Sequence, residues 1–506
     1  DTVIDGESLG SVFVINPFSF TESFAVEGFT IRNGRSTQGG AFDFRRSASL
    51  TLRRCVLEGN EATGGTNQGG AIFAPDIQGA GAVVIEDCVF QDNFAGGPGS
   101  LPKGGAIRTS AVSVTLRRTI FRRNVPNACV MGDGPILVEQ CEFSDQESGL
   151  GVGRCESLVV RDTVFLRHDT PRRGPGLSVQ PGTTALVEDC LFEGNRAEGL
   201  GGASEVEEEA FATFRRCVFR DNASKSYAGA VVLIEGATGT FEECVFERNY
   251  AFWGGGAVFA TSAEATFRRC LFRENTLGNG GGGGAALRFD GREKYYGGTR
   301  ALVESCDFLA NSEAPVRVEA QAAVTVDRSR FIGNVPDGRA IAGAIWIDQA
   351  TAPVVVANSL FAGNRADNPG TDNATGGAIA ARNAGVEMDV TIANCAFVGN
   401  VATPAGGAVY NRWGANPRVV NCVFAGNTPR DIVQKGDPSV IVVARSVLAG
   451  GWDGPGAEGN IDGVPLFADP LGPDGLPWTG DEDYTPAPGS PAVDAGDTAW
   501  LAALGL

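Results

Sequence analysis

The sequence predicts an all-β parallel solenoid, because one unit of about 22 to 36 residues recurs along most of the chain. Each unit contains a β-rich run, a Cys-x-Phe-x-x-Asn segment, a loop of variable length, and Gly-Gly-Ala followed by Val or Ile. Examples are "CVFQDN" (88–93), "CLFEGN" (190–195), "GGAI" (69–72) and "GGAV" (255–258). Stretches with helical periodicity and caps are missing, whereas each unit holds two or three short runs of β-branched and aromatic residues.

The Cys position defines roughly sixteen coils when it is followed from Gly28 to Ser446. The spacing between coils varies while the core of the unit does not, so one loop in each coil takes the insertions. We predict three regions: an N-terminal cap with the first strands (1–27), the coiled body (28–445), and a C-terminal cap with a tail (446–506).

The two motifs together resemble the right-handed parallel β-helix repeats of secreted bacterial proteins. They are most similar to the polymorphic outer-membrane-protein type, which is marked by GGA(I/L/V) and FxxN. The segment "GVPLFADPLGPDGLPWTGDEDYTPAPGSPAVDAGD" (463–497) resembles the choice-of-anchor Q domain. The resemblance implies a single-stranded right-handed parallel β-helix of pectate-lyase-like fold. It also implies export from a bacterium to the cell surface or the extracellular space, with the signal peptide and any anchor not present in this chain.

Composition narrows the function classes. The net charge of −19 argues against nucleic acid as a partner, because phosphate binding needs a basic surface. No run of 18 apolar residues occurs, so we expect no transmembrane segment. His168 is the only histidine, which argues against Ser-His-Asp catalysis and multi-histidine metal sites. His168 occupies the position of the repeated Asn in its coil, so we expect it to replace one asparagine in a ladder of side-chain amides.

Repeated slots predict interior columns. The slot two residues after the Cys is aromatic in nearly every coil, which predicts a stack of buried phenylalanine rings. The slot of the Asn predicts a ladder of side-chain amides. Ten of the twelve cysteines share one slot, and we expect reduced thiols there because the rung spacing exceeds the Cβ separation of a disulfide. Cys129 and Cys155 lie outside that slot and form the one pair for which a disulfide is considered.

The residue two before the Cys slot alternates in sign over ten coils. In-register stacking would otherwise place like charges about 4.8 Å apart, so we interpret the alternation as a structural charge ladder that also penalises misregister. The alternative is a groove for a zwitterionic polymer. The ladder consists of Arg53, Glu86, Arg117, Glu139, Arg161, Glu188, Arg215, Glu242, Arg268 and Glu304.

The residue after Gly-Gly-Ala-Val/Ile should point outward and predicts a partly aromatic face, to which loop aromatics add. Such a face suits a polysaccharide or a protein partner, unless loops fold over it. The predicted ligand or partner face consists of Phe73, Phe259, Trp346, Tyr410, Tyr250, Trp253, Tyr295, Tyr296 and Trp413.

Acidic residues supply two weaker candidates. Glu205, Glu207, Glu208 and Glu209 would serve a glycosidase only if two of them stood at a set separation. Asp469, Asp474, Asp481 and Asp483 lie in a Gly/Pro-rich segment and offer oxygen ligands for Ca²⁺, although their spacing fits no defined calcium loop. No other cofactor is indicated.

The sequence therefore favours an exported, non-catalytic structural or adhesive protein. A polysaccharide lyase or glycoside hydrolase of β-helix type remains an alternative, as does an accessory subunit of an extracellular fibre or envelope complex.

Overall fold

The computed structural model describes residues 2–15, 23–44, 49–64, 69–75, 81–96, 104–110, 113–278, 283–292, 297–336, 341–367, 376–383, 385, 388–403, 405–436 and 440–497. The chain forms two compact units. Unit 1 contains Asp1–Lys225, Gly229–Val232 and Gly236–Gly239, and unit 2 contains Ser226–Ala228, Leu233–Glu235 and Thr240–Leu506. All secondary structure among the described residues is β, and strands from successive coils pair in parallel and in register.

Unit 1 contains three parallel sheets, which we name after their sequence signatures. The phenylalanine sheet consists of Thr2–Asp5, Phe29–Arg32, Val56–Glu58, Val89–Gln91, Ile120–Arg122, Glu142–Ser144, Val164–Leu166, Leu191–Glu193 and Val218–Arg220. The GGA sheet consists of Phe13–Ile15, Phe42–Phe44, Ile72–Ala74, Ile107–Thr109, Asn127–Gly132, Ser148–Gly153, Leu177–Val179 and Ser204–Val206. The ladder sheet consists of Ser23–Glu27, Ser49–Arg53, Ala82–Glu86, Ser113–Arg117, Ile136–Glu139, Leu158–Arg161, Thr184–Glu188 and Phe211–Arg215. Short strands add Arg35–Ser36, Glu61–Ala62, Phe94–Ala95, Asp169–Thr170, Arg196–Ala197 and Ala223–Ser224.

Unit 2 contains the same three kinds of sheet. Its phenylalanine sheet consists of Val245–Glu247, Leu271–Arg273, Asp307–Leu309, Arg330–Ile332, Leu360–Ala362, Ala396–Val398, Val423–Ala425, Val447–Leu448 and Ile461–Asp462. Its GGA sheet consists of Val258–Thr261, Leu287–Asp290, Val316–Glu319, Ile345–Asp348, Ile379–Arg382, Val409–Arg412 and Ile432–Lys435. Its ladder sheet consists of Glu264–Arg268, Arg300–Glu304, Ala323–Asp327, Val354–Ala357, Val390–Ala393, Arg418–Val420 and Val442–Ala444. Short strands add Tyr250–Ala251, Thr276–Leu277, Arg365–Asp367 and Val401–Thr403, and Phe467–Asp469 pairs antiparallel with Asp483–Pro486. The strands Val231–Ile234 and Thr238–Glu242 contain the division between the units.

The predicted phenylalanine stack fills the interior of each unit. In unit 1 the rings of Phe121 and Phe143 are stacked with centroids 4.8 Å apart, and in unit 2 those of Phe308 and Phe331 are 4.5 Å apart. All four side chains are fully buried. Ring area removed from water in every coil makes this column a main source of core stability.

The predicted amide ladder is also confirmed. In unit 1 the Asn60 amide Nδ2 donates to Asn93 Oδ1 at 3.0 Å, and the same bond recurs from coil to coil in both units. His168 takes the ladder position in its coil, where its backbone N–H donates to Asn195 Oδ1 at 3.1 Å and its ring Nδ1 lies 3.2 Å from the carbonyl oxygen of Gln146. Burial lowers the pKa of His168 to about 4, so the ring is neutral.

All twelve cysteines are buried free thiols, and this includes the pair for which a disulfide was considered. Cys129 and Cys155 occupy different columns of the coil. Cys129 pairs in register with Leu150 in the GGA sheet, whereas the Cys155 thiol donates to the Gly134 carbonyl at 3.0 Å. The two side chains therefore belong to separate positions, and the bridge is not formed.

No helix in the described ranges has the length and apolar character needed to cross a membrane.

Candidate functional site

The outer face of the GGA sheet carries the aromatic side chains that the repeat pattern predicts, but most of them are covered. Phe73, Phe259, Trp346 and Tyr410 are all less than a tenth exposed. The covering backbone comes close: a Cβ atom on Gly283 would lie 2.6 Å from the Trp346 ring. The predicted face is therefore not a continuous exposed surface at these positions.

The remaining aromatic residues of the predicted face differ in exposure. Tyr250 is half-buried, whereas Trp253 and Trp413 are 44% and 40% exposed. The guanidinium of Arg412 lies 3.7 Å from the centre of the Trp413 ring. Tyr295 and Tyr296 lie outside the described residues.

A column of acidic residues lies on the same face of unit 2 and was missed from sequence. Asp290, Glu319 and Asp348 occupy the second outward position of three successive strands and pair in register. From this sheet the predicted face contains only the first outward position after Gly-Gly-Ala-Val/Ile, two residues before these acids. The strand sequences "LRFD", "VRVE" and "IWID" carried the signal, since an acid recurs at their fourth position.

Arginines neutralise this column. Glu319 is completely buried, and its carboxylate oxygens lie 2.5 Å from Arg288 Nη2, 2.6 Å from Arg292 Nη2 and 2.8 Å from Arg317 Nη2. Arg382 donates two hydrogen bonds to Asp348, at 2.9 and 2.8 Å. We name these residues the buried ion network: Arg288, Asp290, Arg292, Arg317, Glu319, Asp348 and Arg382.

The environment shifts the titration of two members of the network. Burial, reinforced by the neighbouring Glu319, raises the pKa of Asp290. Burial also lowers the pKa of Arg317, against the opposing effect of Glu319. Each carboxylate of the network nevertheless lies close to at least one guanidinium, so the negative charges are paired with positive charges inside the network.

Aromatic rings lie against the arginines of the network. The Arg317 guanidinium lies 4.1 Å from the centre of the Trp346 ring, and that of Arg288 lies 4.9 Å from the centre of the Tyr227 ring. Tyr227 in turn stacks on Phe259 with ring centroids 4.8 Å apart. Such cation–π contacts are strongest where water is excluded.

The network also holds an exposed pair of aromatic residues, Phe252 and Trp253. Arg288 Nη1 donates to the Trp253 carbonyl at 3.1 Å, and the Trp253 N–H donates to the Ser226 carbonyl at 3.0 Å. The rings of Phe252 and Trp253 meet edge to face with centroids 4.8 Å apart, and both are more than a third exposed. The N–H and the carbonyl of Trp253 are thus both hydrogen-bonded, and the two rings are presented to solvent from a fixed backbone.

Unit 1 contains a different feature on its GGA sheet, the carboxyl group of Glu205. Glu205 and Ser178 pair in register, both side chains are more than nine-tenths buried, and neither Glu205 Oε2 nor Ser178 Oγ has a hydrogen-bond partner within the described ranges. Burial, together with the neighbouring Glu207, raises the pKa of Glu205 to about 8. Glu207 itself lies 3.6 Å from Arg173. The Glu205 carboxyl is therefore mostly protonated at neutral pH.

The alternating charges of the ladder sheet lie within ion-pair distance of their neighbours. In unit 1, Arg53 lies 2.9 Å from Glu86, and Arg117 lies 3.6 Å from Glu86 and 3.0 Å from Glu139. In unit 2, Arg268 lies 4.0 Å from Glu242 and 3.1 Å from Glu304.

Two further rows of ion pairs flank the ladder and were not predicted. One row uses the residue just before the Cys slot, and the other uses the residue just before the Asn slot or a nearby strand position. Members of these rows are Asp87–Arg118, Asp189–Arg216, Glu243–Arg269, Asp92–Arg123, Asp145–Arg167 and Asp307–Arg330. Many of these residues have φ near +50°, where Asp tolerates the backbone better than Arg does.

The carboxylates considered for Ca²⁺ accept hydrogen bonds from nearby residues. Asp469, Asp474 and Asp483 accept from backbone N–H groups two or three residues further on, and Asp481 accepts from the Thr479 hydroxyl. Across the part of the chain that the structure describes, no three His, Cys, Asp or Glu side chains converge on a point where a metal ion would fit. Calcium binding by the tail stays a prediction.

Comparison with protein families identifies the fold. Residues 67–211, 202–397 and 294–448 match the family model described as right handed beta helix region. The chain belongs to the right-handed β-helix family. In this β-helix protein the matched residues include both the Glu205 site and the buried ion network. No curated protein matches the sequence.

Proposed function

We propose that this β-helix protein is an exported, non-catalytic structural or adhesive protein of a bacterial surface. It binds a polysaccharide or a protein partner through exposed aromatic side chains. The similarity of its repeats to the polymorphic outer-membrane-protein type, and of its tail to the choice-of-anchor Q domain, supports export and surface display. The same reasoning admits a role as an accessory subunit of an extracellular assembly.

The observation that carries the proposal is the exposed pair of Phe252 and Trp253. Exposed aromatic rings offer flat apolar area for stacking on sugar faces or on a partner side chain. Because Arg288 fixes the backbone of Trp253 through the buried ion network, little conformational entropy is lost when a ligand binds. The network thus serves as a rigid support, and its arginines and carboxylates are already paired with each other.

The proposal is tested with the full chain against a panel of neutral and uronic-acid polysaccharides, by affinity electrophoresis and calorimetry. Trp253→Ala should weaken binding by about 10- to 30-fold, the loss typical of a central aromatic contact. Phe211→Ala is the matched control, since Phe211 is an equally exposed aromatic residue in unit 1. An unchanged affinity in Trp253→Ala, or an equal loss in both variants, would contradict the assignment of the site.

A carbohydrate-active enzyme is the second candidate, and the protonated Glu205 carboxyl favours it. A general acid needs a pKa near the working pH, which burial gives to Glu205. Release of reducing ends or of unsaturated uronate products should then be measurable and should disappear in Glu205→Gln, while Glu208→Gln keeps it. Absence of any product with the whole polysaccharide panel would remove this candidate.

A further inference from the structure

The tail, residues 463–497, carries a concentration of exposed apolar side chains. Seventeen large hydrophobic side chains are exposed in the described part of the chain, and six of them lie in this short segment. They are Val464, Leu466, Leu471, Leu476, Trp478 and Val493. Exposed apolar area of this kind marks interaction sites in soluble proteins.

The tail is held against unit 2 at several points, so this surface has a defined shape. Trp478 covers Gly363 and Gly399, where an added Cβ atom would lie 2.3 and 2.9 Å from the indole ring. Arg330 Nη1 donates to the Gly480 carbonyl at 3.1 Å. At the far end, Asn421 exchanges two hydrogen bonds with the backbone of Asp497, at 3.0 and 3.1 Å.

Contacts within the tail bring two of its apolar segments together. The Leu466 N–H donates to Ser490 Oγ at 3.0 Å and the Ala487 N–H donates to the Leu466 carbonyl at 2.8 Å. Segment 464–466 therefore lies beside segment 487–493. Leu471 and Leu476 lie in the connection between the two antiparallel strands.

All charged side chains of the tail are acidic. Residues 463–497 contain seven acidic residues and no Lys or Arg. Most of these carboxylates are exposed and accept hydrogen bonds from groups in the tail itself. A surface that is apolar and uniformly negative repels a second copy of itself, nucleic acid and anionic lipid alike, and complements a surface that is apolar and positive.

We infer that the tail is a docking surface for a partner protein that presents aliphatic side chains among lysines or arginines. The tail residues supply apolar contact, their carboxylates supply the charge that selects the partner, and the contacts with unit 2 hold the surface in place. This surface is separate from the Phe252–Trp253 pair, so it stands independently of the proposed function.

The test uses the full chain and an immobilised amphipathic peptide of alternating Leu and Lys, with surface plasmon resonance at low and high salt. The peptide should bind, and the double variant Leu471→Ser/Leu476→Ser should bind it at least about tenfold more weakly. The matched control is Leu9→Ser/Val14→Ser, which removes two exposed apolar side chains from unit 1. Binding should fall at high salt, because the charge contribution is screened.

Three results would overturn the inference. The first is an equal loss of peptide binding in the control variant. The second is equal binding of a Leu/Glu or a Ser/Lys peptide, which would show that binding does not require apolar and positively charged side chains together. The third is peptide binding only after residues 498–506 are deleted, which would show that this segment of the same chain is the occupant of the apolar surface. Trp253→Ala should leave peptide binding unchanged, which separates this surface from the aromatic pair.

Discussion

Removal of the charge of Glu319 should destabilise unit 2 far more than removal of the charge of Glu304. Glu319 is completely buried and lies within 2.8 Å of three arginines, so Glu319→Gln leaves cationic groups uncompensated in a dry environment. Breaking a buried ion pair in this way costs about 3–5 kcal/mol. Glu304 is partly exposed and contacts Arg268 and Arg328, and exposed pairs are worth about 0.2–1 kcal/mol each.

The difference between the two variants is therefore about 2–4 kcal/mol, which corresponds to about a 30- to 900-fold difference in local opening. Amide hydrogen exchange is the suitable measurement, because it reports opening of individual segments in a long repeat protein. Glu319→Gln should lower the protection of the strand Val316–Glu319 and its neighbours by this factor relative to Glu304→Gln. Equal protection in the two variants would refute the view that the network stabilises through burial of charge.

Three other perturbations have defined outcomes. Glu86→Arg should cost about 1–3 kcal/mol at low salt, since it turns two attractions into repulsions, and exchanging signs with one flanking arginine should recover little. Full recovery in urea titrations would contradict the in-register stacking. His168 is neutral and buried, with its pKa lowered to about 4, so the folded state loses stability as the pH falls from about 6.5 towards 4, by up to roughly 3 kcal/mol. His168→Gln should flatten this acid limb of a stability-versus-pH curve, and an unchanged limb would refute the assignment. Gly363→Leu should displace Trp478 and expose the tail to limited proteolysis. Gly426 also directly precedes a ladder Asn but has no neighbour within 4 Å, so Gly426→Leu should leave the tail protected. Equal cleavage of the two variants would show that Trp478 does not hold the tail.

The parts of the fold that could be predicted are those repeated in every coil. A Phe two residues after each Cys, and an Asn three residues further on, must meet their own copies about 4.8 Å away once strands pair in parallel. The repeat period alone therefore predicts the ring stack, the amide ladder and the pairing of Arg53 with Glu86. The same logic could have revealed the rows of Asp87 and Arg118.

The parts that could not be predicted depend on loops, whose length differs from coil to coil. Burial of Trp346 involves the approach of Gly283, which directly precedes the counterpart of the Gly-Gly-Ala element in its coil, at the end of a loop of variable length. The column of Asp290 and Glu319 was missed for a different reason, because it uses the second outward position rather than the first. The docking of Trp478 left only an indirect signal: the slot before the Asn is mostly charged in the earlier coils, whereas it is glycine in four successive coils near the end, at Gly333, Gly363, Gly399 and Gly426.

The amide ladder has a direction. In unit 2 every Nδ2 donates to the Oδ1 of the following coil, and the last amide, that of Asn427, donates to the carboxylate of Asp431 at 2.9 Å. Aligned amide dipoles polarise one another, so each completed bond makes the next acceptor position more favourable. The column is therefore polar along its length, and the side chain of Asp431 takes the place that the amide of a further coil would occupy. Because each bond between Asn249 and Asn427 has the same donor and acceptor atoms, we expect a whole coil inserted or deleted there to leave the chain of amide bonds continuous, so that the length can change while the fold is kept.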